Sequence, residues 1–298
     1  MDNCKICNKP GSYKINISYN SKQTKKFINN YYKENSNRII SALENKNYCI
    51  LICLDCEFMW QKYIPEENFL FELYEKYVDT EASFNKFISN QDKLRNSYYQ
   101  EGLNILAFFK YDDSKNIKIL DYGSGWGGWI LENKKILPKI DGLELSPSRR
   151  KYLLKNNINL IKLENLKNKQ NYYNFVRCEQ VLEHLSDLNL FFKLMSKIIK
   201  KNGYLHISVP NAKKMINENK LELFISKGPA QPLEHLNAFT PKSLKKIAKI
   251  HNFKEISFVK MVLIYKYKGI FSLKNFKNFI KNIYNLFFFT SKYFQKID

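Results

Sequence analysis

The chain has 298 residues, and 49 Lys and Arg against 28 Asp and Glu give it a formal net charge of +21. Aromatic residues at 15%, with 10 Gly, 8 Pro and 6 Cys, exclude a disordered chain, a collagen-like repeat and a disulfide-dense scaffold. The N-terminus has two cysteines and no apolar core, so we expect no signal peptide and a globular protein of the reducing cytoplasm.

The positive charge comes from 44 Lys and only 5 Arg. Arginine is the side chain that binds phosphates and bases with two hydrogen bonds at once, whereas lysine acts as a point charge. The composition therefore favours a solvated lysine-rich surface, and a nucleic-acid partner stays open as the alternative.

Four of the six cysteines form two pairs near the start of the chain, Cys4-x2-Cys7 and Cys53-x2-Cys56. This spacing lets both thiolates of one tight turn bind the same metal ion, and two such turns predict a closed four-cysteine zinc site. The segment between the pairs, residues 10–47, is longer than a zinc ribbon needs, so it should form a hairpin or short strands of its own.

Helical periodicity follows the second cysteine pair. Residues 66–78 and 91–110 each place aromatic and aliphatic side chains at helical spacing, which predicts two helices with packing faces.

From residue 117 the chain alternates short apolar runs with helical patterns. The predicted strands are residues 117–122, 140–145, 159–163, 173–178 and 204–209. This alternation indicates a parallel sheet with right-handed crossovers. The runs 255–260 and 262–267 have no helical stretch between them, which predicts an antiparallel pair at the end of the sheet.

The sequence LDYGSGWGG at residues 120–128 follows the first of these strands. Its glycines let the backbone turn sharply and let a ligand approach the amides of the next helix. The loop alone fits a nucleoside cofactor or a dinucleotide, but Asp121 would repel a pyrophosphate and can pair with a cofactor's amino group. Glu144, at the end of the second strand, is placed to bind both ribose hydroxyls.

With these motifs, residues 117–267 resemble a class I S-adenosylmethionine-dependent methyltransferase. The resemblance continues through EHL at 183–185, GYL at 203–205 and HLNAFT at 235–240. The N-terminal part is similar to a subgroup with a four-cysteine zinc module, through CLDCEF at 53–58 and YEKY at 74–77, although Glu57 replaces that subgroup's glycine. The implied fold is α/β, with a Rossmann-like seven-stranded sheet.

The resemblance also implies how the chain is organised. We expect a zinc-binding module at 1–64, a helical connection at 65–110, a methyltransferase domain at 111–268 and a basic amphipathic helical tail at 269–298. The residues expected to bind S-adenosylmethionine are Asp121, Gly123, Gly125 and Gly127 at its methionine end, Glu144 at the ribose and Glu164 near the adenine. Members of the subgroup act on sugars and other small molecules, so the expected acceptor is a small polar, carbohydrate-derived molecule methylated on oxygen or carbon.

Two histidines are candidates for the base that takes the acceptor's proton. His184 and His235 follow strand ends on the side of the cofactor, and each comes directly after a glutamate, Glu183 and Glu234. We place His235 first and His184 second, because His235 lies in the long stretch 211–239, which is the best candidate for an acceptor-binding insertion. Glu234, beside His235, is the third candidate catalytic residue.

Alternatives are open both for the role of the tail and for the function of the protein. The tail has one apolar helical face flanked by lysines, which suits either an anionic membrane surface or packing on the protein itself, and it is too short in apolar residues to span a bilayer. The alternatives to small-molecule methylation are a nucleic-acid methyltransferase, a non-catalytic cofactor-binding protein and, least favoured, an NAD-dependent oxidoreductase. The acceptor's identity and the oligomeric state are left open.

Overall fold

The computed structural model describes residues 2–109, 114–257 and 289–297, and within these ranges the chain forms two compact units. The first unit combines residues 1–81, 182–188 and 209–247, and the second combines residues 82–181, 189–208 and 248–298. Each unit thus contains segments that are far apart in the sequence. The predicted domain boundaries at residues 64, 110 and 268 follow the linear chain, whereas these units do not, and the boundaries stay a prediction.

Strands and helices are numbered along the chain. The strands are β1 Ser12–Ser18, β2 Asn47–Ile52, β3 Met59–Gln61, β4 Lys118–Tyr122, β5 Lys139–Leu143, β6 Tyr173–Glu179, β7 Ile199–Pro210, β8 Asn237–Ala238, β9 Phe253–Glu255 and β10 Phe289–Lys296. The α-helices are α1 Lys22–Tyr32, α2 Ser36–Ala42, α3 Glu67–Glu72, α4 Thr80–Phe108, α5 Gly128–Asn133, α6 Pro147–Lys155, α7 Leu163–Lys167, α8 Leu188–Ile198, α9 Leu221–Phe224 and α10 Pro241–Ile250. A π-helical turn covers Leu73–Tyr77, and 3-10 turns cover Lys33–Asn35, Leu182–His184 and Lys213–Met215.

The first unit is built on an antiparallel sheet in the order β1-β2-β3-β8. The segment between the cysteine pairs contributes β1 and, in addition, helices α1 and α2, which the hairpin prediction did not include. Ser21 caps α1, since its side chain accepts a hydrogen bond from the Thr24 amide, and Ile28 and Tyr32 bury one face of that helix. The prediction for this segment was therefore right about a strand and wrong about the helices.

The insertion at residues 211–239 belongs to the core of this first unit. Phe224, Ala230 and Leu233 are buried in one apolar cluster with Tyr48 and Met59 of the N-terminal sheet. The Tyr48 hydroxyl donates to the main-chain carbonyls of Phe224, at 3.2 Å, and Ala230. Burial of these aromatic and aliphatic side chains fixes the insertion on the N-terminal segment.

The second unit is a mixed sheet in the order β5-β4-β6-β7-β10-β9, in which β5, β4, β6 and β7 run parallel. This order confirms the predicted Rossmann-like α/β fold. The prediction of seven strands is wrong for the described residues, where six are found. Leu160, in the predicted strand 159–163, makes a single bridge to Gly142, because α7 begins at Leu163 and ends the extended run.

The last strand comes from the segment predicted to be the tail. β10 pairs antiparallel with β9. Of the predicted antiparallel runs 255–260 and 262–267, residues 258–267 lie outside the described residues, so that pair stays a prediction. The amphipathic face predicted between residues 271 and 287 also lies outside them. At residues 289–296 the helical prediction is wrong, because Thr290, Phe294 and Lys296 alternate with more exposed residues at the period of a strand.

Among the described residues, no helix has the length and apolar character needed to cross a membrane.

Candidate active site and metal centre

The glycine loop joins β4 to α5 in the second unit. Gly123, Gly125 and Gly127 have φ angles of +84°, +55° and +74°, the left-handed region that glycine adopts without strain. A Cβ atom on Gly123 would lie 2.4 Å from Val181 Cγ2, whereas a Cβ atom on Gly125 would meet nothing within 4 Å. Gly125 therefore marks the side of the loop that is open to a ligand.

Glu144 directly follows β5 and lies against this loop. One carboxylate oxygen accepts from the Gly125 amide at 2.8 Å, and the other accepts from the amides of Leu145 and Ser146 at 2.9 Å each. The side chain is 7% exposed. This carboxylate is fixed beside the open face of Gly125, and that position suits the predicted binding of a cofactor's ribose by Glu144.

Asp121 is buried at the end of β4 and forms an ion pair with Arg177 of β6. Arg177 Nη1 is 3.0 Å from Asp121 Oδ1, and Arg177 Nε is 2.9 Å from Glu101 Oε1. Burial raises the pKa of Asp121 to about 6, although the positive charge of Arg177 opposes this rise. Burial also acts on Glu101, but Arg177 and His206 outweigh it and lower the pKa of Glu101 to about 2.

Asp121 Oδ2 is buried and has no hydrogen-bond partner among the described residues. This oxygen can accept a hydrogen bond from the amino group of a cofactor, and that predicted role of Asp121 stays a prediction. Glu164 is exposed in the first turn of α7, and its contact with the adenine stays a prediction.

A second cluster of functional side chains lies in the first unit, around His184 and His235. The ring centroids of these two histidines are 4.9 Å apart. His184 Nδ1 is 2.9 Å from both the Tyr74 hydroxyl and the Glu234 carbonyl oxygen, and His235 Nδ1 is 3.3 Å from the Pro229 carbonyl oxygen. Burial lowers the pKa of His235 to about 4, so its imidazole is neutral at pH 7. The structure thus brings the two predicted histidines together.

Glu183 is the carboxylate of this cluster. It is 1% exposed, and neither of its side-chain oxygens has a hydrogen-bond partner among the described residues. Burial raises the pKa of Glu183 to about 8. One oxygen of Glu183 and one ring nitrogen from each histidine all lie within 4.8 Å of one another.

Glu234 supports the cluster through its main chain, while its carboxylate points elsewhere. Its carbonyl oxygen accepts from the Tyr74 hydroxyl at 3.1 Å and lies at His184 Nδ1, whereas its side chain accepts from the Tyr32 hydroxyl at 2.8 Å. Burial raises the pKa of Glu234. The predicted catalytic role of Glu234 stays a prediction, and the contacts fit a positioning residue.

Tyr74, Arg177 and Glu183 were not predicted as site residues. Tyr74 lies in the π-helical turn Leu73–Tyr77, and such turns are frequent at functional sites. A single arginine inside the apolar stretch 175–178 of strand β6 was the available signal for a buried ion pair, because an unpaired charge there would be costly.

The four paired cysteines also converge. The Sγ–Sγ distances are 3.6 Å for Cys4–Cys56, 3.5 Å for Cys7–Cys53 and 3.7 Å for Cys7–Cys56. Four sulfurs bound to zinc at about 2.3 Å in a tetrahedron lie about 3.8 Å apart, so the cluster has the dimensions of a zinc site.

The two cysteine turns have the same backbone form. Asn8 and Glu57, each one residue after the second cysteine of a pair, adopt φ angles of 58° and 62°. The Glu57 amide donates to the Cys53 carbonyl oxygen and the Asn8 amide to that of Cys4, at 2.8 and 3.0 Å. Glu57 therefore takes the conformation that a glycine would adopt at this position, and the turn is kept.

The strand order of the second unit and its glycine loop define a Rossmann-like methyltransferase architecture. Residues 92–257 match the family described as "Methyltransferase domain", and the chain belongs to that family. This match confirms the predicted class of S-adenosylmethionine-dependent methyltransferases, whereas the zinc-containing subgroup stays a prediction.

Among curated proteins, the chain is similar to a ubiquinone biosynthesis O-methyltransferase of Pelagibacter ubique, at 31% identity over 150 residues. The match covers 46% of this chain, and the chain spans 60% of that relative's length.

Among solved structures, the chain is similar to a SAM dependent methyltransferase from Archaeoglobus fulgidus, with 20% identity and a TM-score of 0.41 over 78% of this chain and 100% of the other. It is also similar to an S-adenosylmethionine dependent methyltransferase from Mesorhizobium loti, with 12% identity and a TM-score of 0.39 over 60% and 91% of the two chains. These likenesses are loose, and the fold rests on the strand order.

Proposed function

We propose that this protein transfers a methyl group from S-adenosylmethionine to an oxygen or carbon of a small polar acceptor. The observation that carries the proposal is the pair of imidazoles at His184 and His235, with His235 neutral because burial lowers its pKa to about 4. A neutral imidazole can take a proton from a hydroxyl group. The family match supplies the cofactor side of the proposal.

The residues of the second unit bind and orient the cofactor. S-adenosylmethionine supplies an activated methyl group on a sulfonium, so the chain itself has to align the reactants and handle one proton. Asp121 Oδ2 accepts a hydrogen bond from the cofactor's amino group, the open face of Gly125 admits the cofactor, and Glu144 binds its ribose hydroxyls. Glu164 contacts the adenine.

The residues of the first unit act on the acceptor. In the transfer, a bond forms between the acceptor atom and the methyl carbon, the sulfur–methyl bond breaks, and its electron pair stays on sulfur. The acceptor's proton leaves separately. In the simplest form of the proposal His235 takes this proton, with His184 as the second candidate, and Tyr74 and Glu234 hold His184 in place.

The proposal also names the class of acceptor and a structural metal ion. A sugar or sugar-nucleotide derivative is the proposed acceptor, because the four-cysteine cluster and the motif at 53–58 resemble the subgroup that methylates such molecules. The cysteine cluster is proposed to hold one structural zinc ion, since its sulfur–sulfur distances match a tetrahedral site. Zinc there supplies folding free energy to the first unit.

The test uses labelled S-adenosylmethionine, the full chain and a metabolite extract. We expect label to appear in a small polar product, and His235→Gln to lower the rate of transfer by about 10²–10⁴ while cofactor affinity changes little. His251→Gln is the matched control, because His251 lies near the end of α10 and contacts Asn189 instead of the cluster. Label found in nucleic acid, or in no product at all, would refute the proposal.

A further inference from the structure

We propose that Glu183, His184 and His235 bind a divalent transition-metal cation and that the open coordination positions of this cation hold an oxygen of the acceptor. The first half of this inference rests on the cluster itself, and the second half rests on the proposed function. The site is separate from the four-cysteine cluster, with which it shares no residue.

The spacing of the three side chains suits one ion. Their candidate ligand atoms all lie within 4.8 Å of one another. Ligand bonds of about 2.0–2.2 Å place the ligand atoms of one ion roughly 3–3.5 Å apart. The present separations therefore exceed those around one bound ion by less than about 2 Å.

Glu183 gives an independent reason for a cation at this place. Its side chain is buried, and its two oxygens have no hydrogen-bond partner among the described residues, although one of them faces both imidazoles. A buried carboxylate without a partner is costly, and a bound cation removes that cost by supplying the opposite charge and the missing contacts.

The two imidazoles are oriented as metal ligands usually are. A carbonyl oxygen can only accept a hydrogen bond, so the proton of His184 lies on Nδ1 and points to the Glu234 carbonyl, and that of His235 points to the Pro229 carbonyl. In both rings Nε2 then carries the lone pair. Histidines that bind metals generally donate their other ring N–H to a carbonyl or carboxylate in this way, which fixes the tautomer and the ring orientation.

The ligand set indicates which cations fit. Two imidazoles and one carboxylate suit zinc, iron(II), cobalt(II) or manganese(II), whereas calcium and magnesium prefer oxygen ligands alone. Three protein ligands leave positions open for further oxygens. The site therefore has the composition of a catalytic centre and differs from the closed four-cysteine cluster.

The cation changes one step of the proposed function. A hydroxyl bound to a cation loses its proton more readily, because the positive charge stabilises the oxygen anion. This proton passes to solvent, the oxygen forms its bond to the methyl carbon, and the sulfur keeps the electron pair of the broken bond. If His235 binds the cation, it cannot also act as the base. The cation then activates the acceptor's hydroxyl, a role that the simplest form of the proposed function assigns to His235.

The experiment measures manganese binding to the full chain. Brief treatment with a chelator should leave one zinc ion per chain in the cysteine cluster, and manganese(II) is then titrated while its free form is followed by electron paramagnetic resonance. We expect one manganese ion per chain in the wild type. Glu183→Gln and His235→Gln should weaken this binding about tenfold or more, and His251→Gln should not. Glu183→Gln loses no hydrogen bond of the described structure, so it should fold.

Labelled methyl transfer to the metabolite extract, with and without chelator, separates this inference from the proposed function. Loss of transfer in chelator and its recovery with manganese(II) would support the site. Equal manganese binding by wild type, Glu183→Gln and His235→Gln would overturn it, and so would an absence of binding with transfer intact in chelator. Manganese binding that follows the expected pattern, with no transfer to any product, would instead refute the proposed function and leave the site standing.

Discussion

Asp121 and Glu183 are two carboxylates with the same burial and opposite surroundings. Each is 1% exposed. Asp121, in the second unit, faces the guanidinium of Arg177 at 3.0 Å, whereas neither oxygen of Glu183, in the first unit, has a hydrogen-bond partner among the described residues. Burial raises the pKa of Asp121 to about 6 and that of Glu183 to about 8. The charge of Arg177 opposes this rise at Asp121, whereas no charged side chain among the described residues opposes it at Glu183.

The two units differ in how they partner their buried polar atoms. In the second unit Arg177 pairs with the buried Asp121, and main-chain amides hold Glu144, so the chain itself organises this candidate cofactor site. The first unit instead contains two clusters of potential ligand atoms. One has four sulfurs, the other has one oxygen and two nitrogens, and each has the atoms to bind a positive ion. Four changes to the chain or its conditions test this contrast between the two units.

Cys53→Ser should release the proposed zinc ion and unfold much of the first unit. Structural zinc contributes its binding free energy directly to folding, about 10–16 kcal/mol in small zinc peptides, so this is the largest effect. Cys49→Ala is the matched control, because Cys49 is a buried cysteine of β2 outside the cluster. Metal analysis and hydrogen exchange measure the outcome. Reduced protein that never contained zinc would contradict the prediction.

Arg177→Met should destabilise the second unit by about 3–5 kcal/mol, because it leaves Asp121 and Glu101 buried without their positive partner. Arg95→Met, at a site where the arginine is 60% exposed, should cost at most about 1 kcal/mol. Urea unfolding compares the two. Equal costs would mean that the buried network adds nothing to stability and that the contrast between Asp121 and Glu183 has no energetic weight.

Glu144→Ala should weaken binding of S-adenosylhomocysteine. Each charge-assisted hydrogen bond that it loses to the ribose is worth about 1.5–3 kcal/mol, and the Gly125 amide loses its acceptor as well. Calorimetry measures the affinity. Glu132→Ala, in the helix that follows the glycine loop, is the control and should bind as the wild type does. Unchanged affinity in Glu144→Ala, or tighter binding of NAD than of S-adenosylhomocysteine by the wild type, would exclude the assigned role.

The smallest expected effect is a pH dependence of cofactor binding. Since burial raises the pKa of Asp121 to about 6, its carboxyl group is neutral below that pH and cannot pair with a cofactor's amino group. Affinity for S-adenosylhomocysteine should therefore rise as pH increases through about 6, and Asp121→Asn should lose this rise. Titration calorimetry between pH 5 and 8 is the measurement, and a rise that persists in Asp121→Asn would assign it to another group.

The raised pKa of Asp121 also makes the free energy of unfolding depend on pH. The folded pKa of Asp121, about 6, lies above the ordinary value of 3.8. The folded state therefore binds the proton more tightly than the unfolded chain does. The contribution of Asp121 to the free energy of unfolding is complete below about pH 4 and is lost as pH rises through about 6.

Several features could be predicted from the sequence because their signals are local. Cysteine spacing indicated the two turns that bring four cysteines together, the alternation of apolar runs and helices indicated the parallel sheet, and the glycine loop with Glu144 indicated a nucleoside cofactor. Each of these patterns reflects a backbone or ligand geometry that a few neighbouring residues determine. The pair of histidines was found in the same way, from positions just after strand ends.

Contacts between distant segments of the chain depend on the tertiary structure. Arg177 and Glu101 meet 76 positions apart, His184 and Glu234 meet 50 positions apart, and β9 pairs with a strand that begins 34 residues after β9 ends. Burial and hydrogen bonding between distant segments select such contacts, and no local pattern of residues encodes them. Glu183 shows this most clearly, since the sequence places it beside His184, but only folding brings it to His235 and buries it without a partner.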